Sequence, residues 1–349
     1  MYFNVYSDTG ETIEGYLIPD GFSTKPAITV TCNSRSYGPF PCDVFLEGPL
    51  KHGHHDTGVV GFRLDNEKVP KIATSSDLTI ADEETGFVIY QRYNPDRHIA
   101  KRLFRLETQF APHKELDNSL KAYFQFHSGS AELYGGETVR QMLEIINQPS
   151  TYVSGRVLLR TVHRYFTDDT IRITSLRDPF YELAIRLLTV SSHKKRPLNF
   201  MSERDIILFK PAMEHFSDTN FNDPLNIKAK ILGAHKDVLS LFESPFTHQL
   251  VASSPTDKVS REGVPSALDS LSQFTIFDPH ESGSEIADAI SESTNILRDE
   301  IAFSPLRSPF IELAGVLREI KVLEHVLEND LILMHFIKKA ENRAKGQMR

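Results

Sequence analysis

Tryptophan is absent from the 349 residues, and cysteine is nearly so, with Cys32 and Cys42 the whole complement. Two cysteines do not make a disulfide framework, so the expectation is a reducing, cytoplasmic setting. Long apolar runs are missing too: none reaches the ~18 residues that suggest a membrane-spanning helix, and the opening MYFNVYSDTG does not read as a signal peptide. No transmembrane segment is expected, and at most a peripheral association with a membrane. Positive charge is in deficit. Thirty-nine Lys and Arg against 47 Asp and Glu leave a formal charge of −8, which argues against a general nucleic-acid binder. What is present is ordinary globular material, 40% apolar and 25% charged, ample for sizeable cores. The length suggests two domains.

Residues 1–95 read as an all-β, sandwich-like module. Short, partly alternating segments at 2–7, 12–18, 27–32, 43–47, 59–64, 77–81 and 87–92 are separated by turn signals such as IPDG, SYGPFP and DEETG. Strands at that spacing are the mark of a sandwich. Near Tyr93-Asn94-Pro95-Asp96 the pattern changes. HIAKRLFRLETQF and HKELDNSLKAYFQF carry helical spacing, which predicts bridging helices over 96–122.

Residues 123–349 alternate strands and helices. Strands are expected at 123–127, 152–154 and 171–175. Helices are expected in GGETVRQMLEII and VLLRTVHRYF, from Pro179, and over 203–215, 226–242, 284–297, 309–327 and 330–343. ASSPTDKVSREGVPSALDS reads as a polar, mobile loop. Such alternation predicts an α/β sheet covered by helices, whose ligands collect at the carboxyl ends of the strands.

The stretch ITSLRDPFYELAIRLLTV places Arg177 at the end of a strand, Asp178 at an N-cap and Pro179 in the first turn of a helix. A guanidinium aimed from that junction can grip a phosphate by two parallel hydrogen bonds. Strand, LRDP and amphipathic helix together resemble the second nucleotide-binding element of P-loop-type sulfotransferases. FQFHSGSAELYGGETVRQML is similar to the family's phosphate loop, with Gly135, Gly136, Thr138 and Arg140 at matching places. YVSGR and ENDLILMHFIKKAENR resemble elements of the bacterial polysaccharide-modifying branch. The likeness covers about residues 120–343.

This resemblance implies a P-loop-like α/β domain behind the β module. Its reaction would be transfer of a sulfuryl group from 3′-phosphoadenosine 5′-phosphosulfate to a hydroxyl of a bacterial surface polysaccharide or glycolipid, at or near the inner membrane. Backbone amides from Gly135 to Val139 would hold the phosphosulfate, Arg140 would add charge, and Arg177 would take the 3′-phosphate. His127 or Glu132 would act as base on the acceptor, a contribution of about 10²–10⁴ in rate. No metal is called for.

Three departures point to an alternative, a non-catalytic carbohydrate-binding or assembly protein of the same fold. No lysine stands in the glycine loop, Glu137 replaces a small hydroxyl residue, and Ile185 replaces a phosphate-binding serine. A carboxylate ~4 Å from a phosphate repels it by roughly 4 kcal/mol at an effective dielectric near 20, more than the ~0.3–1 kcal/mol a helix terminus offers an anion. A glycosyltransferase is a third reading, with Asp168-Asp169 the nearest approach to its metal motif. Structural readings stand beside each of these: Glu137 as a helix-dipole partner, Arg177 as half of an ion pair, His127 as a packed ring. His52, His54, His55 and Asp56 form the one metal-like cluster; His54 and His55 face opposite ways on a strand, while His52, His54 and Asp56 share a face if extended, and with two glycines and no cysteine partners the segment reads as a solvated hairpin turn.

One further pattern is an echo. PLRSPFIELAGVLR, from Pro305, repeats Leu, Arg, Pro, Phe, Glu, Leu and Ala of SLRDPFYELAIRLL at the same offsets. With no third copy it is no solenoid. It predicts a second proline-started helix capped by Ser308, with Arg307 at the surface or in a salt bridge.

Overall fold

The computed structural model describes residues 1–193, 196–279 and 284–347, the side chains of 344–347 excepted. The chain divides into two compact units. Unit 1 is Met1–Arg102, Leu120–Ser128 and Tyr134–Val153; unit 2 is Leu103–Ser119, Gly129–Leu133 and Ser154–Arg349.

Unit 1 is dominated by antiparallel sheet. Strands β1 (Tyr2–Asp8), β2 (Ile13–Ile18), β5 (Val44–Phe45) and β6 (Val59–Leu64) form one sheet in the order β1-β2-β6-β5. A second sheet joins β3 (Ala27–Cys32), β4 (Arg35–Pro41), β7 (Leu78–Asp82) and β8 (Val88–Gln91) in the order β4-β3-β7-β8. Alternate residues are buried, among them Phe3, Val5, Ile28, Val30, Leu78 and Ile80, the pattern of strands with one solvated face. Both cysteines are free and buried.

The strand missing from the expectation is β4. Its segment holds Gly38, Pro39 and Pro41, which read as turn. At the sheet edge a proline leaves no ladder bond broken, and Gly38, at φ +104°, supplies a conformation that side chains rarely adopt.

A five-stranded parallel sheet follows: β9 (Arg102–Leu106), β10 (Phe126–Ser128), β11 (Thr151–Gly155), β12 (Thr170–Ser175) and β13 (Ile276–Asp278), in the order β10-β11-β9-β12-β13. The α/β class is thus as expected, but β9 corrects the helical reading of HIAKRLFRLETQF. A central parallel strand is buried on both faces and becomes a continuous apolar run, which periodicity alone does not separate from helix.

Unit 2 packs its helices around Phe110, Leu183, Ala184, Leu187, Phe216 and Leu317. The helix Pro179–His193 starts as LRDP predicts: Asp178 accepts from the amides of Phe180 and Tyr181, both at 3.0 Å. The echo differs in detail. Its helix runs Ser308–Arg318, so Ser308 is already helical and the cap position is Arg307, without a side-chain bond. The expected helix over 226–242 is two, Pro224–Leu232 and Lys236–Ser240, broken at Gly233. The second half of the supposed mobile loop is the helix Gly263–Leu271.

Candidate functional site

In the order β10-β11-β9-β12-β13, the chain leaves β9 toward one side of the sheet and β12 toward the other. The carboxyl ends of β9 and β12 therefore flank the topological switch point, where open α/β sheets bind ligands. The loop 107–113 follows β9, and Arg177 follows β12. Thr108 joins the two ends, its hydroxyl donating to the Ser175 carbonyl at 2.5 Å.

The loop closes on a carboxylate of its own chain. Glu107, 1% exposed, accepts from the amide of Gln109 at 3.0 Å and that of His113 at 2.7 Å. The Arg105 guanidinium adds a bond at 2.9 Å and the His113 Nδ1 another at 3.0 Å. A second buried carboxylate, Glu182, takes the amide of Phe110 at 3.1 Å. Burial alone would push the Glu107 carboxyl up, but His113 and Arg105 hold it well below the usual carboxylate range. Arg105 is balanced on its other side by Asp117 at 2.8 Å, which also accepts from Ser154. Buried charges persist only when paired and hydrogen-bonded in this way.

Arg177 is different. It is 3% exposed, yet among the described residues no carboxylate pairs with it. Its Nη2 donates to the His113 Nε2 at 2.7 Å and to the Ser304 carbonyl at 3.4 Å. A guanidinium is only a donor, so His113 Nε2 is an acceptor and Nδ1 carries the hydrogen given to Glu107. The ring is oriented by a carboxylate behind it. Burial pushes the Arg177 pKa down.

A strap covers this group. Phe303 stacks on His113, with ring centroids 4.7 Å apart and planes at 30°, and the Arg177 guanidinium lies 5.4 Å from the same Phe303 ring. The strap is tied down by the Ala302 amide to Ser119 at 3.2 Å and by the Ser304 hydroxyl to Glu115 at 2.8 Å.

Of the residues singled out in the sequence, Arg177 and Glu132 belong to unit 2, and His127 and Gly135 through Arg140 to unit 1. Glu132, its side chain 5% exposed, accepts the Arg156 amide at 2.8 Å and lies beside the Arg156 guanidinium; burial pushes its pKa up. His127 stacks on Tyr152 at 5.0 Å. Gly135 caps the helix Gly136–Leu143, and a Cβ on either Gly135 or Gly136 would meet nothing within 4 Å. Thr138 accepts from the Met1 amino group at 2.9 Å, and Val139 is buried. Glu137 takes the Tyr2 hydroxyl and pairs with Arg140 at 2.8 Å. Ile185 is packed in the core.

His55 is buried, its Nε2 bonded to the Thr24 carbonyl at 2.7 Å. Among the described residues no three His, Cys, Asp or Glu side chains are grouped to hold a metal ion.

Glu107 and His113 were not singled out, because their segment read as helix. The available signal was a run of polar residues, ETQ, directly after LFRL, as a buried strand ending at a ligand edge would show. Comparison with protein-family models, curated proteins and solved structures returns no match.

Proposed function

We propose that the chain is a sulfotransferase-like α/β protein that works by binding, as a carbohydrate-binding or assembly factor, and no longer takes the sulfate donor. One observation carries this reading. The loop after the central strand, where a P-loop-like fold would cradle phosphate on its backbone amides, already spends the amides of Gln109, Phe110 and His113 on Glu107 and Glu182. A phosphosulfate entering there would find its donors taken and a carboxylate in its place. Repulsion of roughly 4 kcal/mol per like-charged pair at ~4 Å exceeds what a helix terminus returns. The residues of that loop do not fit the donor.

Catalysis of sulfuryl transfer is the second reading, and Arg177 favours it. A buried guanidinium with no carboxylate ion pair among the described residues, at the carboxyl end of a strand, is the arrangement an anionic ligand would complete. Titration calorimetry with adenosine 3′,5′-bisphosphate separates the two. No heat at millimolar ligand is expected. Saturable binding that disappears in Arg177→Ala would overturn the binding-only reading in favour of the enzyme.

A further inference from the structure

Unit 2 holds a cleft of about 500 Å³ that shares no lining residue with the switch-point group. The size is that of a small-molecule site. One wall is the short helix Leu159–Val162 with His163; the other is the helix Gly263–Leu271 with Gln273 beyond its end. The floor is the end of the helix Pro245–Val251.

Its chemistry is selective. Arg160 and Lys258 both line it, inside a chain whose formal charge is −8. Arg160 is held to the floor by one bond, Nη1 to the Val251 carbonyl at 3.2 Å, which leaves most of its five N–H groups for a ligand. Among the described residues Asp257 is the carboxylate in the lining, and it is turned to its own loop, where it accepts the amides of Ser253 and Ser254, both at 2.9 Å. Those amides hold its pKa below the usual range. The remaining polar lining is the His163 imidazole together with hydroxyls and an amide, Ser260, Ser270 and Gln273 among them. Among the described residues no Phe or Tyr lines the cleft to stack a base, so a nucleotide lacks its usual platform. An inorganic anion is far too small to fill the space. A polyhydroxylated ring bearing one negative charge matches both the volume and the mixture of cations with hydroxyl and amide groups.

We propose that this cleft binds an anionic saccharide, its carboxylate between Arg160 and Lys258 and its hydroxyls on Ser260, Ser270 and Gln273. The assignment extends the binding-only reading and fails separately from it. Binding of adenosine 3′,5′-bisphosphate would overturn that reading and leave this one standing.

The test is ligand-observed NMR on the full chain with glucuronate, glucose and inorganic phosphate as probes. Glucuronate should saturate at millimolar concentration and glucose should bind about tenfold more weakly, since a charged hydrogen bond is lost. Lys258→Ala should weaken glucuronate by about the same factor, and Gln273→Ala by severalfold. Should Arg160→Ala unfold the wall it braces, the Lys258 and Gln273 variants still decide the matter. Three results overturn the proposal: no saturation at tens of millimolar glucuronate; phosphate binding as tightly as glucuronate; or glucuronate affinity unchanged in both Lys258→Ala and Gln273→Ala.

Discussion

Replacing Glu107 by alanine should turn the loop after β9 into an empty anion cradle. The substitution strands the amides of Gln109 and His113, which now end on a carboxylate that is 1% exposed. Each buried donor left without a partner costs about 1–3 kcal/mol. It also removes a carboxylate from buried Arg105, which keeps Asp117; breaking a buried pair typically costs about 3–5 kcal/mol. These terms overlap, and about 4 kcal/mol is a fair total. At ~2–4 °C per kcal/mol for a unit of this size, the melting temperature should fall by on the order of 10 °C. The decisive arm is rescue. Sulfate can accept the same amides, and at tenfold excess over its dissociation constant it would restore about 1.4 kcal/mol. Differential scanning fluorimetry of wild type and Glu107→Ala, with sodium sulfate against sodium chloride at matched ionic strength, reads both effects. Wild type controls for the general stabilisation that sulfate gives any fold. A variant that melts within two degrees of wild type, or sulfate shifts equal in the two proteins, would mean that Glu107 does not fill an anion cradle.

Other outcomes follow from the same geometry. Arg177→Met removes a buried cation that forms no ion pair with a carboxylate among the described residues, so the melting temperature should hold or rise, since apolar groups of similar volume often replace buried charge without loss; a drop of several degrees would contradict this. Burial pushes the Glu182 carboxyl up to about 7, outweighing Arg186 beside it. Its folded pKa is therefore raised, and the native state binds this proton more tightly than the unfolded chain does. The stability this gives is complete at acid pH and is lost as pH rises through about 7. Melting curves of Glu182→Gln and wild type should run parallel below pH ~4.5, and the variant should gain on wild type by a few kcal/mol up to pH ~8; a constant offset would rule out the titration. Gly155→Ala places a Cβ 2.5 Å from the Ala131 amide nitrogen and 2.6 Å from a Glu132 oxygen. It should destabilise by about 1–3 kcal/mol, measured by urea denaturation, and an unchanged midpoint would count against the close approach.

Local chemistry was legible wherever a segment settles its own conformation. Most of the N-terminal strands show in their alternation and turn residues, and the Asp178–Pro179 helix start shows in three letters. The echo at Pro305 was legible as a proline-started helix, though Ser308 proved to be its first helical residue and not its cap. Two kinds of segment misled. An edge strand tolerates the prolines that ordinarily mark a turn, which hid β4. A central parallel strand loses its alternation because both faces are covered, which hid β9, and with it Glu107 and His113.

The amino-acid sequence alone determined the class, β-rich first and α/β after, because hydrophobic period and capping residues act over a few neighbours. It also determined that Arg177 ends a strand. What meets that arginine was settled by tertiary structure: the His113 ring held by Glu107 and a strap carrying Phe303, from segments more than sixty and more than a hundred residues away. It decided, too, that the loop amides end on the chain's own carboxylates. Such partnerships are set by strand order and by the need to satisfy every buried charge, and neither has a signature within a single stretch of sequence.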